Sequence, residues 1–347
     1  MDFARTADNP PPPGGIVSRA RTADGAAIRV ARWHPQGRAR GSVLIAQGRA
    51  EFIEKYFETV GELLARGFCV VTFDWRGQGL SDRELPDRRK GHIDDFAIYE
   101  RDLDAVAAQA LEPFCPRPWF GLAHSMGGAI LLRQAHAGRS PFARIALLAP
   151  MIDIRGLRFP RLARALADML DLLGLGGAYV PTGGATSIHT RPFKGNRLTS
   201  DPARYARNAA IVQSAPDLAL GDPTIGWVSA AFRMIDALAD PEFPRRTRTP
   251  ILVFVSGDDR VTSTPAAERF GHRLKAGHVI ALPGARHEIL QERDSIRAQF
   301  WAAFDAFVPG AEGEGRAQES TKESAQGDAQ ESTKESAQEA ARAPLTR

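Results

Sequence analysis

The sequence predicts an α/β protein: a mostly parallel central sheet with helices on both faces and a large helical insertion. Three observations carry that prediction. Six short runs rich in β-formers alternate with stretches of helical period, as βα units do. The runs are apolar at nearly every position, as strands covered on both faces require. From Met151 to about Arg248 the alternation stops, and helical patterning continues without a clear strand.

In chain order, the expected strands are "SVLIAQG" (42–48), "FCVVTFD" (68–74), "WFGLAH" (119–124), "RIALLAP" (144–150), "ILVFVSG" (251–257) and "HVIALPG" (278–284). Between them, "KYFETVGELLAR" (55–66), "FAIYERDLDAVAAQAL" (96–111) and "MGGAILLRQAHAG" (126–138) are spaced to cover a sheet face. Inside the gap, "RLARALADMLDLLGL" aligns Leu162, Leu166, Met169, Leu170 and Leu173 on one helical stripe, which either packs into a core or forms a lid over a site. The domain reading is a flexible N-terminal segment (1–15), a core in two parts (16–150 and 249–309), a helical cap (151–248) and a low-complexity tail (310–347).

The flexible ends are read from composition. Pro10–Pro13 form a run, and the tail carries "AQESTKESAQ" twice, at 317–326 and 329–338, with no large apolar residue between Val308 and Leu345. Such a segment buries too little surface to offset its ordering entropy. Eight acids against five bases from Gly310 onward leave about +7 on residues 1–309, although the whole 347-residue chain is only +4. The arginines are scattered, without the aromatic interleaving of a nucleic-acid platform, so no nucleic-acid partner is expected. Neither a membrane-spanning run nor a signal-peptide apolar region is visible, which makes the cytoplasm the default and leaves peripheral membrane contact open. The two cysteines, Cys69 and Cys115, read as packing residues.

Chemistry concentrates around "GLAHSMGGAI" (121–130). Ser125 follows a strand and opens a helix, and its neighbours two residues away, Ala123 and Gly127, are small. A nucleophile on a tight strand-to-helix turn needs that, because any bulk there meets the strand or the helix. The serine then needs a base and an orienting acid, in the chain order Ser, Asp, His. "ILVFVSGDDRVTS" ends a strand at Asp258–Asp259, and "HVIALPGARHEIL" ends the next with His287. Asp259 is the chosen acid, with Asp258 as the alternative; whichever is not catalytic reads as a turn aspartate before a helix start. Of the other histidines, His34, His92, His136, His189, His272 and His278 do not follow a strand at the right place, and His124 is expected to point away. The oxyanion donors are expected to be the backbone N–H groups of Met126, at the helix start, and Arg49, after the first of the six strands.

With these residues placed, the chain resembles the α/β-hydrolase superfamily, and more closely its monoacylglycerol lipase and lysophospholipase L2 branch. The likeness runs from about residue 16 to 308. It is carried by "QGRAEFIEKY" (47–56), "FDWRGQGLS" (73–81), "GHIDDF" (91–96), "AHSMGG" (123–128), "SGDDRV" (256–261) and "GARHEI" (284–289). Two family histidines are replaced, with Gln47–Gly48 at the oxyanion strand and Gly77–Gln78–Gly79 after the Asp-x-Arg; neither replaced residue belongs to the triad. The resemblance implies the α/β-hydrolase fold and a serine ester hydrolase needing no metal or organic cofactor. It also implies an acyl-chain pocket under the 151–248 cap and lysophospholipid or monoacylglycerol as substrate. Arg155, Arg158, Arg161 and Arg164 are candidates for meeting a phosphate head group or an anionic bilayer. Acyl transfer, amide or proline-peptide hydrolysis, and a non-catalytic binding module on the same fold remain as rival functions.

Overall fold

The computed structural model describes residues 2–156 and 158–309, so the repeated tail lies outside the described residues. Among them, eight strands form one sheet: β1 (Ile16–Arg21), β2 (Ala27–Trp33), β3 (Ser42–Ala46), β4 (Cys69–Phe73), β5 (Trp119–His124), β6 (Arg144–Leu148), β7 (Ile251–Ser256) and β8 (Gly277–Leu282). Their spatial order is β1-β2-β4-β3-β5-β6-β7-β8. β2 is antiparallel to β1 and β4, and the pairings from β4 to β8 are parallel. The α-helices are α1 (Phe57–Ala65), α2 (Phe96–Val106), α3 (Met126–His136), α4 (Pro160–Leu170), α5 (Pro202–Ser214), α6 (Ile225–Ala239), α7 (Glu242–Arg246), α8 (Thr264–Gly271) and α9 (Asp294–Phe307).

The pleat of β3 explains the two-sided core. Alternate side chains of a strand leave on opposite faces. Leu44 and Ala46 belong to the core layer that also holds Leu103 of α2, Ile130 of α3 and Phe270 of α8, whereas Val43 and Ile45 belong to the layer that holds Val60 of α1 and Phe300 of α9. A strand covered on both faces keeps a polar side chain only where it finds a partner, as Ser42 does on the Pro116 carbonyl, and that is why the inner strands read as mostly apolar runs.

β1 and β2 escaped that reading. β1 is an edge strand with mostly exposed side chains, and β2 carries Arg29 in its middle. That guanidinium is fully buried, 2.7 Å from Glu54 and 3.3 Å from Asp74, so the charge is neutralised by partners distant in sequence.

The N-terminal segment is packed, contrary to the flexibility expected from its prolines. The Phe3 ring stacks on Trp33 at 5.3 Å and meets Phe57 edge-on at 5.2 Å. The Ala4 N–H donates to the Glu54 carboxylate, the Asn9 amide donates to the Glu54 carbonyl, and the Trp33 indole donates to the Pro12 carbonyl. These contacts hold residues 3–12 against the sheet.

Between β6 and β7 the chain makes α4 to α7 and no strand of the sheet. The apolar stripe of this region is not core: Leu162 is 65% exposed, Leu173 is 67% exposed, and neighbouring Leu172 is 89% exposed. Parallel strands bring their carboxyl ends to one rim, where the loops after β3, β5, β7 and β8 gather.

Candidate active site

Ser125 sits between β5 and α3 with φ 49° and ψ −113°, a left-handed conformation that a side chain rarely adopts. The turn is held by the Ser125 N–H donating to Leu148 and by the Met151 N–H donating to the Ser125 carbonyl. A Cβ on Gly127 would lie 2.4 Å from the Ala46 carbonyl oxygen and 2.6 Å from that of Gln47, so α3 packs on the end of β3 only because residue 127 is glycine.

The loop after β8 brings His287 Nε2 to 3.0 Å from Ser125 Oγ, and its Nδ1 lies 2.9 Å from Asp259 Oδ2. Asp259 Oδ1 accepts the N–H groups of Val261 and Thr262 at 2.7 and 2.9 Å, and Oδ2 also accepts the Thr262 hydroxyl. Burial pushes this carboxyl up, but the attraction and hydrogen bond of His287 and the two N–H groups outweigh it and hold the pKa at about 2. An ionised carboxylate demands a donor, so Nδ1 carries the proton and Nε2 is free to accept from the serine. Asp258 lies apart at the surface, paired with Arg260 at 2.8 Å.

In the loop after β3, the Gly48 N–H is taken by the Glu51 carboxylate, and the Ala50 N–H donates to Gln78 Oε1 at 2.9 Å. Gln78 Nε2 in turn donates to the Gly48 carbonyl at 3.0 Å. The Arg49 N–H between them, like the Met126 N–H at the start of α3, has no partner among the described residues. Arg49 and Met126 line the same cavity as Ser125 and His287. Gln78, standing where the family has histidine, thus clamps the loop that presents Arg49, a role the sequence did not reveal.

His124 does not point away. Its ring lies 4.7 Å from that of His287, with Nδ1 3.1 Å from Glu51 and Nε2 3.0 Å from the His287 carbonyl oxygen. Burial opposes both charges, yet their mutual attraction leaves the His124 pKa raised and the Glu51 pKa well below the usual carboxylate range. As an imidazolium, His124 donates from both nitrogens and ties His287 to Glu51. Lys55 extends the network, bridging Glu51 and Glu288 at 2.6 Å each. The only signal in the sequence is proximity, since these residues flank the candidate site residues in the motifs.

A cavity of about 540 Å³ opens over the serine, walled by apolar side chains such as Met151, Leu166, Leu170, Trp227 and Phe232. Arg155, Arg158, Arg161 and Arg164 do not line it. Arg155 donates to the Asp259 carbonyl, and Arg164 pairs with Asp236. Among the described residues, no group of three His, Cys, Asp or Glu side chains is arranged to hold a metal ion.

Residues 37–294 match the serine aminopeptidase S33 family. The chain is also 34% identical over 287 residues to lysophospholipase L2 of Escherichia coli, covering 78% of this chain and 81% of that one. The chain is an α/β-hydrolase. This hydrolase is 24% identical over 264 residues to a monoacylglycerol lipase of Mycolicibacterium smegmatis, with 75% and 85% of the two chains covered, and it belongs to the lysophospholipase and monoacylglycerol lipase branch. In fold, the α/β-hydrolase is similar to a soluble variant of the Saccharomyces cerevisiae monoglyceride lipase solved with a substrate analog. The TM-score is 0.68 at 20% identity, covering 85% of this chain and 96% of that one. A carboxyl esterase from Bacillus coagulans gives 0.68 at 17% identity, covering 85% and 98%.

Proposed function

We propose that this hydrolase cleaves the carboxylic ester of single-chain lipids, lysophospholipids or monoacylglycerols, through an acyl-enzyme on Ser125. The observation that carries the reading is the relay from Ser125 through His287 to Asp259, opening on an apolar cavity. His287 takes the hydroxyl proton as Oγ attacks the ester carbonyl, and the N–H groups of Arg49 and Met126 receive the charge on the carbonyl oxygen. The alcohol leaves with the proton from His287. Water, deprotonated by the same imidazole, then releases the fatty acid. Asp259 orients His287 and compensates its charge.

In this reading, residues 151–248 act as a cap holding the acyl chain. Their exposed side chains, Phe159, Leu162, Leu172 and Leu173 beside Arg158 and Arg161, favour peripheral contact with an anionic bilayer. No helix among the described residues is long and apolar enough to cross a membrane. Co-sedimentation with anionic vesicles, lost in Leu172→Asp, tests that contact; equal binding by variant and wild type counts against it.

The decisive experiment is hydrolysis of p-nitrophenyl acyl esters with fluorophosphonate labelling of Ser125. Wild type labels and turns over, and Ser125→Ala does neither. A Ser125→Ala variant as active as wild type would refute the mechanism. The family description favours one rival, peptide-bond cleavage. Cleavage of a proline β-naphthylamide in preference to a lysophospholipid would select it.

A further inference from the structure

Among the described residues, Arg49 is the only lysine or arginine lining the catalytic cavity. Its Nη2 donates to the Gly221 carbonyl at 2.9 Å, and its guanidinium carbon lies 5.2 Å from the Trp227 ring. Its Nε is buried without a partner, and no carboxylate among the described residues forms an ion pair with it. Asp222, which lines the same cavity, is already committed to Arg191 at 2.8 and 2.9 Å and to the Gly184 N–H at 3.0 Å. Burial lowers the guanidinium pKa to about 10, against the weaker pull of nearby groups that include Asp222, and leaves it well above neutrality, so a charged group lines an apolar cavity with no ion-pair partner of its own among the described residues. An arrangement of that kind is costly unless a ligand supplies the counter-charge.

Resting on the catalytic reading above, we propose that the Arg49 side chain is an anion subsite that selects acyl esters carrying a phosphate on the alcohol portion. The geometry suits such a substrate. The backbone N–H of this residue faces the reacting carbonyl, and its side chain extends from there, while in a 1-acyl glycerophosphate the phosphate is a few bonds from the scissile carbonyl. A planar fork of donors matches phosphate oxygens, and the uncharged head of a monoacylglycerol leaves it unpaired.

The test compares kcat/KM for 1-acyl lysophosphatidylethanolamine, 1-acyl glycerol 3-phosphate and 1-monoacylglycerol of the same chain, all in neutral detergent. Wild type, Arg49→Lys and Arg49→Met are measured, with fluorophosphonate labelling of Ser125 in each. Side-chain substitution keeps the backbone N–H, so the specificity ratio isolates the guanidinium. Wild type favours the phosphate esters, Arg49→Met lowers the phosphate-to-monoacylglycerol ratio on the order of 10–100-fold, and Arg49→Lys retains part of it. A loss with both phosphate esters marks recognition of the phosphate itself. A loss confined to the monoester marks recognition of a free terminal phosphate. A ratio unchanged in Arg49→Met, or a wild type that prefers monoacylglycerol, overturns the subsite while labelling keeps the nucleophile reading intact. A wild type that does not label removes both. Calorimetric binding of glycerol 3-phosphate, present in wild type and weakened in Arg49→Met, gives a readout independent of turnover.

Discussion

Replacing Asp259 with asparagine changes a single atom's chemistry and leaves the shape of the site alone. Oδ1 is fixed by the two backbone N–H groups of Val261 and Thr262, which accept no substitute for an oxygen. The new amide nitrogen must therefore occupy the Oδ2 position, 2.9 Å from His287 Nδ1. Two donors would then face each other, and the imidazole escapes by moving its proton to Nε2. With a proton there, Nε2 cannot accept from Ser125 Oγ. Loss of the reactive tautomer in a serine–histidine–aspartate relay costs on the order of 10⁴ in kcat, about 5.4 kcal/mol of transition-state stabilisation. Steady-state hydrolysis of p-nitrophenyl butyrate measures it, with Asp258→Asn as the comparison. Asp258 pairs with exposed Arg260 at 2.8 Å and only at 3.8 Å with half-buried Arg286, so its variant stays within about threefold of wild type. An Asp259→Asn enzyme retaining more than about a tenth of wild-type kcat, or an equal fall in Asp258→Asn, would refute the assignment.

Other expectations follow from the surroundings of the site. Gly127→Ala forces a methyl onto the backbone of β3 and its following loop; urea unfolding should show a loss of about 3 kcal/mol or failure to fold. Gln78→Ala releases the loop around Arg49, and kcat for a soluble ester should drop roughly tenfold with KM little changed. His124→Gln removes one member of a buried charged pair, at a cost of about 3 kcal/mol near pH 6. The His124 pKa in the folded protein lies above 6.5, so its protonated form stabilises fully below that pH and the contribution fades as pH rises through the folded value. Wild-type stability should therefore approach that of the variant on going from pH 6 to pH 9, and parallel curves would contradict the charged state assigned to His124.

The legible parts of this molecule are those whose constraints are local. The strands β3 to β7 announce themselves because both faces are covered, and Ser125, Asp259 and His287 because each occupies a strand-end turn with its own residue pattern. Arg29 hid β2 because its counter-charges, Glu54 and Asp74, come from other parts of the chain. The same applies to His124, expected to point away until Glu51 is brought to it, and Lys55 drew no reading at all without Glu51 and Glu288 beside it. The cap stripe has a helical period in either environment. Periodicity identifies an apolar side of a helix, and what faces it is decided by the tertiary arrangement.

The packed N-terminal segment bears on how this protein can be altered. A version begun at Ile16 would uncover the Trp33 indole and the edge of Phe57, and would take the Asn9 amide and the Ala4 N–H away from Glu54. Glu54 is also the counter-ion of Arg29, so trimming the leading prolines reaches the electrostatics of the sheet interior, some distance from the cut. Residues that look like a dispensable leader are, in mechanical terms, the outer latch of the first strands.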